Sequence, residues 1–262
     1  MEARILGSKN SHKYFPEFMI RAFYGKKPVA FLNAKTGRID TVGRSNDYNA
    51  QLGWYTNKNE EILNEEAEQK FQQLSREINK MARSGDRNFS RLTIDADLVY
   101  KFFAYQIIRD PASSKAILSE ISVRGGIKTQ MTLQDFQNEA IKAEKTAHIV
   151  ADALREEFVV VLEPNFTNTD YVAVNVPVMI KFTDGKLYVL AVAPKVAFCL
   201  VSRELNNKLR LGAVRDDGMD CVIQTNERIM AHAIAHEPYE VLGRNQEYLT
   251  NLHREVKAKL KM

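Results

Sequence analysis

The sequence predicts an α+β protein: an N-terminal hairpin, central helices, an antiparallel sheet and C-terminal helices. Three observations lead there. From Glu60 to Arg83 apolar side chains recur at steps of three and four, the period of a helix with one buried face. From 158 to 201 the chain turns to β-branched runs separated by turn signals, which suits an antiparallel sheet. Elements of one type also come in runs instead of alternating, the pattern of α+β and not of a doubly wound sheet. No repeat or low-complexity linker divides the chain, so residues 1–262 read as a single domain, helical again over 222–261.

The hairpin rests on Val29 to Leu32 and Arg38 to Val42, joined by an Asn33…Gly37 loop. In the first long helix Leu63, Ala67, Phe71, Leu74, Ile78 and Met81 mark the buried face, and Ser84-Gly85-Asp86 stops it. Asp95 is an N-cap for the next helix. That helix ends near Arg109-Asp110, because Pro111 disfavours helix in the residue before it. Asp110-Pro111 then serves as N-cap and first turn of another helix, which runs to Gly125-Gly126. Thr132-Leu133-Gln134-Asp135 resembles a capping box and opens what reads as the longest helix, with Leu133, Phe136, Ala140, Ala143, Ala147, Val150 and Leu154 on one face. His148 falls beside that stripe and reads as solvated. Strands are expected at Phe158 to Leu162, Tyr171 to Val176, Val178 to Phe182, Leu187 to Val192 and Lys195 to Val201, with a turn at Asp184-Gly185. Helices over Val222 to His236 and Arg244 to Lys261 close the chain.

Composition narrows the class. Apolar residues make up 45% and charged residues 27%, as in soluble globular proteins with a substantial core. The formal net charge is +4, but residues 1–60 carry a net +5 and Arg244 to Met262 a net +3, leaving an acidic middle. Two readings stay open: lysines that only solubilise the ends, or a phosphate-facing surface built from them. Cys199 and Cys221 are the only cysteines. Their distance and lack of a CxxC spacing read as reduced core thiols. No apolar run is long enough for a membrane span and no leader is evident, so a cytoplasmic location is expected.

Two segments stand out chemically. Ser11 to Phe23 brings His12, Pro16 and Arg21 together with Tyr14, Phe15, Phe18 and Phe23. Histidine titrates near neutral pH, and an arginine in an apolar run needs a partner if buried. The segment reads as an anchored strand or turn. In the helix after Asp95, Val99, Phe102, Gln106 and Arg109 share one face. Either Gln106 and Arg109 belong to a site, or Arg109 complements the helix dipole in the last turn while both groups stay wet. Glu68 lies among Glu60, Glu61, Glu65 and Glu66, and such a run is usually a solvated face. His232 and His236 have metal-sharing spacing, but no base lies between them and no third ligand is evident. The Arg-x4–6-His spacing of one ribonuclease class is missing, as are phosphate-loop, dinucleotide and nucleophile-elbow motifs. No cofactor and no metal site is expected.

His12-x-x-x-Pro16-x-Phe18-x-x-Arg21-x-Phe23 resembles the N-terminal motif of the domain-of-unknown-function-4238 family, a mainly bacterial group. Phe103 to Pro111, with Gln106-x-x-Arg109-x-Pro111, is similar to its second motif, and Glu68 matches an acidic position in the preceding helix. Tyr171 to Val178 resembles its Asp-Asn-Pro strand, Ala191 to Pro194 a following strand, and Asn226 an asparagine near the start of a C-terminal helix. Asn175-Val176 replaces the acid expected before Asn-Pro. The resemblance implies a residue set and no mechanism: His12, Glu68, Gln106 and Arg109 as catalytic candidates, Arg21 and Asn175 as substrate-binding ones.

Such a set can hold phosphate, move a proton and stabilise developing charge. The expectation is therefore metal-independent action on nucleic acid or a nucleotide, as in a toxin-like or phage-defence effector. The alternative is a non-enzymatic interaction protein with a structural polar network. A nucleic-acid-binding module would need aromatics interleaved with basic residues, for which Tyr24-Gly25-Lys26-Lys27 is the short candidate. Nucleic acid or nucleotide is the partner class, no membrane partner is expected, and homo-oligomerisation stays open.

Overall fold

The computed structural model describes residues 10–12, 15–23, 29–42, 50–52, 55–86, 88, 91–125, 131–142, 145–210, 218–236 and 240–261. Its architecture is α+β. Strand β1 (Asn10–His12) pairs antiparallel with β4 (Ala50–Leu52). Strand β2 (Val29–Asn33) pairs with β3 (Ile39–Val42) as the hairpin pattern predicts, and Gly37 takes a left-handed φ of 77° in its loop. Strand β9 (Glu240–Gly243) adds to the free side of β2, from Ala30↔Gly243 to Asn33↔Glu240. Its four residues, between two helices, are too short for periodicity to flag.

The larger sheet has the order β5-β8-β7-β6, all antiparallel. Its strands are β5 (Phe158–Pro164), β6 (Val178–Phe182), β7 (Gly185–Ala193) and β8 (Val196–Ser202). Every side chain of β8 is buried, as a central strand covered on both faces requires. Cys199, within it, is buried. The side chain of Cys221 lies outside the described residues.

Tyr171 to Val176 is not a strand. The segment is fully buried, but its backbone hydrogen bonds go to separate elements. Tyr171 N–H donates to Pro194 O, Val172 N–H to the Asn226 side chain, and Ala173 makes a two-bond bridge with Leu242. Buried backbone groups must be paired, and here pairing is met without a ladder, so strand-like composition misleads. Asn226 is the clamp: buried mid-helix in α9 (Gly218–Ala235), it also donates to Asp170 O and Tyr248 Oη.

Helix α1 (Glu17–Phe23) starts where Pro16 O accepts from Met19 N–H, so the opening segment is a strand followed by a helix instead of one strand or turn. A continuous helical path follows through α2 (Asn57–Leu63), a π-helical turn (Asn64–Glu68) and α3 (Gln69–Ser84). Gly85 ends it at φ 74° with bonds back to Ala82 and Met81, the left-handed stop that glycine favours. Helix α4 (Ala96–Arg109) begins at Asp95, whose carboxylate accepts from Asp97 and Leu98 N–H. Helix α5 (Pro111–Gly125) is capped by Asp110 accepting from Ser113 N–H at 2.8 Å. The expected longest helix is described as α6 (Leu133–Lys142) and α7 (Lys145–Glu157), with Thr132 and Asp135 capping reciprocally and His148 exposed. Helix α8 (Arg203–Arg210), unforeseen from the sequence, follows β8, and α10 (Gln246–Lys259) is capped by Asn245.

The core joins these layers through aromatic rings. Phe71 of α3 stacks on Phe102 of α4 at 4.0 Å between centroids and meets Phe198 of β8 at 4.8 Å. Phe18 of α1 leans on both Phe71 and Phe102. Phe15, Phe18 and Phe23 are thus core, while Tyr14 and the Tyr24–Lys27 stretch lie outside the described residues. No helix among the described residues is long and apolar enough to cross a membrane.

Candidate functional site

The last four carbonyls of a helix lack intrahelical donors, and α4 ends inside the protein. Asp110 N–H donates to Gln106 O, Ser114 Oγ donates to Ile108 O at 2.6 Å, and the Gln137 amide of α6 donates to Ile108 O and Arg109 O at 3.1 and 3.0 Å. This buried cap fixes where Arg109 emerges. Arg109 is only 1% exposed, so the expectation of a wet helix-end cation is corrected. Burial of that charge requires a partner. Arg109 Nη1 donates to Glu68 Oε1 at 2.5 Å, and its guanidinium carbon lies 5.4 Å from the centre of the Tyr55 ring.

Glu68 reaches Arg109 because of its place in the chain. It is the last residue of the π-helical turn, whose extra residue per turn rotates the face that follows. Glu61, Glu65 and Glu66 stay exposed, as a solvated acidic run should, whereas the Glu68 side chain is 19% exposed. The acidic run is therefore one solvated face plus one partly buried ion-pair member.

Gln106, one turn before Arg109, is fully buried, and neither its amide nitrogen nor its oxygen has a hydrogen-bond partner among the described residues. Such a group costs about 1–3 kcal/mol for each unmet bond. Asn175 is buried with its amide nitrogen likewise unmet, and no hydrogen bond among the described residues joins it to the other candidates. His12 is the last residue of β1, opposite Ala50, and its side chain lies outside the described residues. Arg21 is exposed on α1 and lines a groove against α3. The structure thus brings Glu68 and Arg109 into contact, sets Gln106 one turn before Arg109 on α4, and places Arg21 on the α1–α3 groove.

Tyr55 and Gln137 were not singled out from the sequence. Tyr55 carries no local signal. Gln137 did: it falls on the buried face of α6 between Phe136 and Ala140, and a polar residue there must bond to something.

His232 and His236 lie on α9 with ring centres 4.6 Å apart. No group of three or more His, Cys, Asp or Glu among the described residues is placed to hold a metal ion. Burial, then the neighbouring His236 charge, lowers the His232 pKa from 6.5 to about 4, with Asp110 pulling the other way. A depressed histidine pKa means the unfolded chain binds more protons between the two values, so stability is present above the unfolded pKa and falls as pH drops through the folded one. The loss is up to about 3 kcal/mol, reduced by the water that reaches a partly exposed ring. Urea unfolding of wild type and His232→Leu at about pH 7 and about pH 4.5 should show the smaller acid loss in the variant. Equal losses would place the acid sensitivity elsewhere.

Compared with protein-family models, with curated proteins and with solved structures, the chain matches none.

Proposed function

We propose that the chain acts on a nucleic acid or nucleotide, with Glu68 meeting the substrate and the buried Arg109 and Gln106 positioning it. The observation that carries this reading is a coincidence at one place. A π-helical turn, a buried arginine and an amide with no partner among the described residues meet at Glu68, Arg109 and Gln106. Each works against folding stability, and such departures gather at functional sites. Phosphodiester cleavage by general acid–base chemistry fits the residue types: one of His12 and Glu68 takes the proton of the attacking hydroxyl or water, and the other gives one to the leaving oxygen as the P–O bond breaks. Strand β1, which carries His12, pairs with β4, and Tyr55, which covers Arg109, follows β4 by three residues. Arg21 and Asn175 remain the substrate-binding candidates.

The test is degradation of RNA, single-stranded DNA and nucleotides by wild type, His12→Ala and Glu68→Gln, each checked by thermal melting. Loss of turnover by about 100-fold or more in folded variants is expected. Unchanged turnover in folded variants, or none by wild type, would favour a second reading: a non-enzymatic interaction protein with a structural network. The depth of Arg109, 1% exposed, supports that reading.

A further inference from the structure

Helices α1 and α3 leave an open groove of about 540 Å³ between them. Four cations line it: Arg21 from α1, and Arg76, Lys80 and Arg83 from α3, all exposed, and no carboxylate is among the lining residues. On a helix, positions 76, 80 and 83 follow at steps of four and three and so share a face. Over seven residues they span about 10 Å. Many other cations of this protein sit in ion pairs, such as Lys186 with Glu157 at 2.7 Å and Lys259 with Glu227 at 2.7 Å. Arg76 and Lys80 have no carboxylate partner among the described residues. Arg83 touches Ala22 O at 3.5 Å, and its pKa is lowered by burial first and then by the charge of Arg244, with Asp170 opposing. The groove is a concentration of positive charge with no carboxylate in its lining.

We propose that this groove holds the phosphodiester backbone of a single-stranded nucleic acid, independently of sequence. A span of about 10 Å is longer than one phosphate needs, and arginine forks suit phosphate oxygens. Gln72 and Asn79 supply uncharged hydrogen-bonding groups along the same wall. An anionic membrane is a poorer fit, since the surface is concave and presents no exposed apolar residue to insert. An acidic peptide is a poorer fit too, because the aromatic residue lining the groove, Phe18, is only 7% exposed and offers no anchor. The same lack of an accessible ring removes base stacking, leaving backbone recognition. Gln72 follows Glu68 by one turn of the same helical path, so a strand in the groove would lead toward Glu68.

The inference narrows the substrate class of the proposed function to a single strand, and its test reads binding alone. Fluorescence anisotropy would follow a labelled single-stranded oligonucleotide of mixed sequence, about 10 nucleotides long, binding to the full chain. If three or four phosphates are neutralised, log affinity should fall against log salt with a slope of about −2 to −3. Arg76→Glu/Lys80→Glu changes only exposed side chains and should melt like wild type. At about 50 mM salt it should bind at least about tenfold more weakly, with a slope shallower by about 1.4. Phosphatidylserine vesicles and polyglutamate are the competing ligands. The proposal is overturned if wild type fails to bind the oligonucleotide, if the folded double variant binds undiminished, or if vesicles or polyglutamate bind as tightly. Turnover lost in Glu68→Gln alongside undiminished binding by the groove variant would reject the groove and leave the proposed function. Groove-dependent binding with no turnover would do the reverse.

Discussion

Replacing Arg109 with methionine should lower the unfolding free energy by about 3–5 kcal/mol, because it leaves a partly buried carboxylate facing a void. The magnitude follows from position. Arg109 is 1% exposed, it meets Glu68 at 2.5 Å, and its backbone is pinned by Gln137 and Ser114 through the end of α4. The side chain therefore cannot withdraw to water. Glu68 can, in part, since its side chain is 19% exposed, which places the loss toward the lower end of that range. The informative companion is Glu68→Met/Arg109→Met. Replacing both members of a buried ion pair with apolar residues of similar volume is often neutral or stabilising, so the double variant should recover most of the loss. Urea unfolding of the two single variants and the double gives the coupling directly. A cost for Arg109→Met below about 1 kcal/mol would mean that the pair is not held in the interior. The double variant also separates the two functional readings. A stable protein that no longer degrades nucleic acid points to a site, and one that keeps every activity points to a scaffold.

Much of the frame was legible because local rules and tertiary packing agree. Leu63, Ala67, Phe71, Leu74 and Ile78 are all buried on the helix that their spacing predicts. Asp95, Asp110 and Thr132 cap the helices they precede, since a side-chain acceptor at that position meets free N–H groups wherever the helix later packs. The failures are equally physical. Tyr171 to Val176 has strand composition, yet its hydrogen bonds are shared among Pro194, Asn226 and Leu242, and no local pattern encodes partners so far away. Strand β9 joins β2 across two hundred residues for the same reason. At the candidate site, one-face spacing placed Gln106 with Arg109, but their depth depends on α6 and its Gln137. The π turn that swings Glu68 out of its acidic run has no sequence signature. The basic face of α3 did have one, at positions 76, 80 and 83. It gains meaning only when α1 brings Arg21 opposite.

Phe71→Ala should cost about 3–5 kcal/mol, comparable with the loss of Arg109 although no charge is involved. Phe71 is fully buried and touches rings from three other elements: Phe102 at 4.0 Å, Phe198 at 4.8 Å and Phe18 at 6.1 Å. Truncation removes the apolar burial and leaves a cavity that three anchored elements cannot close, and it also removes ring contacts worth about 0.5–1.5 kcal/mol each, not additively. Phe182→Ala is the internal control. That ring, at the end of the edge strand β6, is 49% exposed, and its loss should stay within about 0.5 kcal/mol. Phe71→Leu, which keeps most of the volume, should fall between the two. The consequence extends to function because Phe71 lies in α3 between Glu68 and Gln72, so one residue sets the seat of both the ion pair and the groove wall. At a temperature where Phe71→Ala is still folded, its affinity for the single-stranded oligonucleotide should drop while that of Phe182→Ala does not. Equal affinity in a folded Phe71→Ala would show that α3 keeps its position without the stack, and that the groove draws its geometry from the α1 contacts alone.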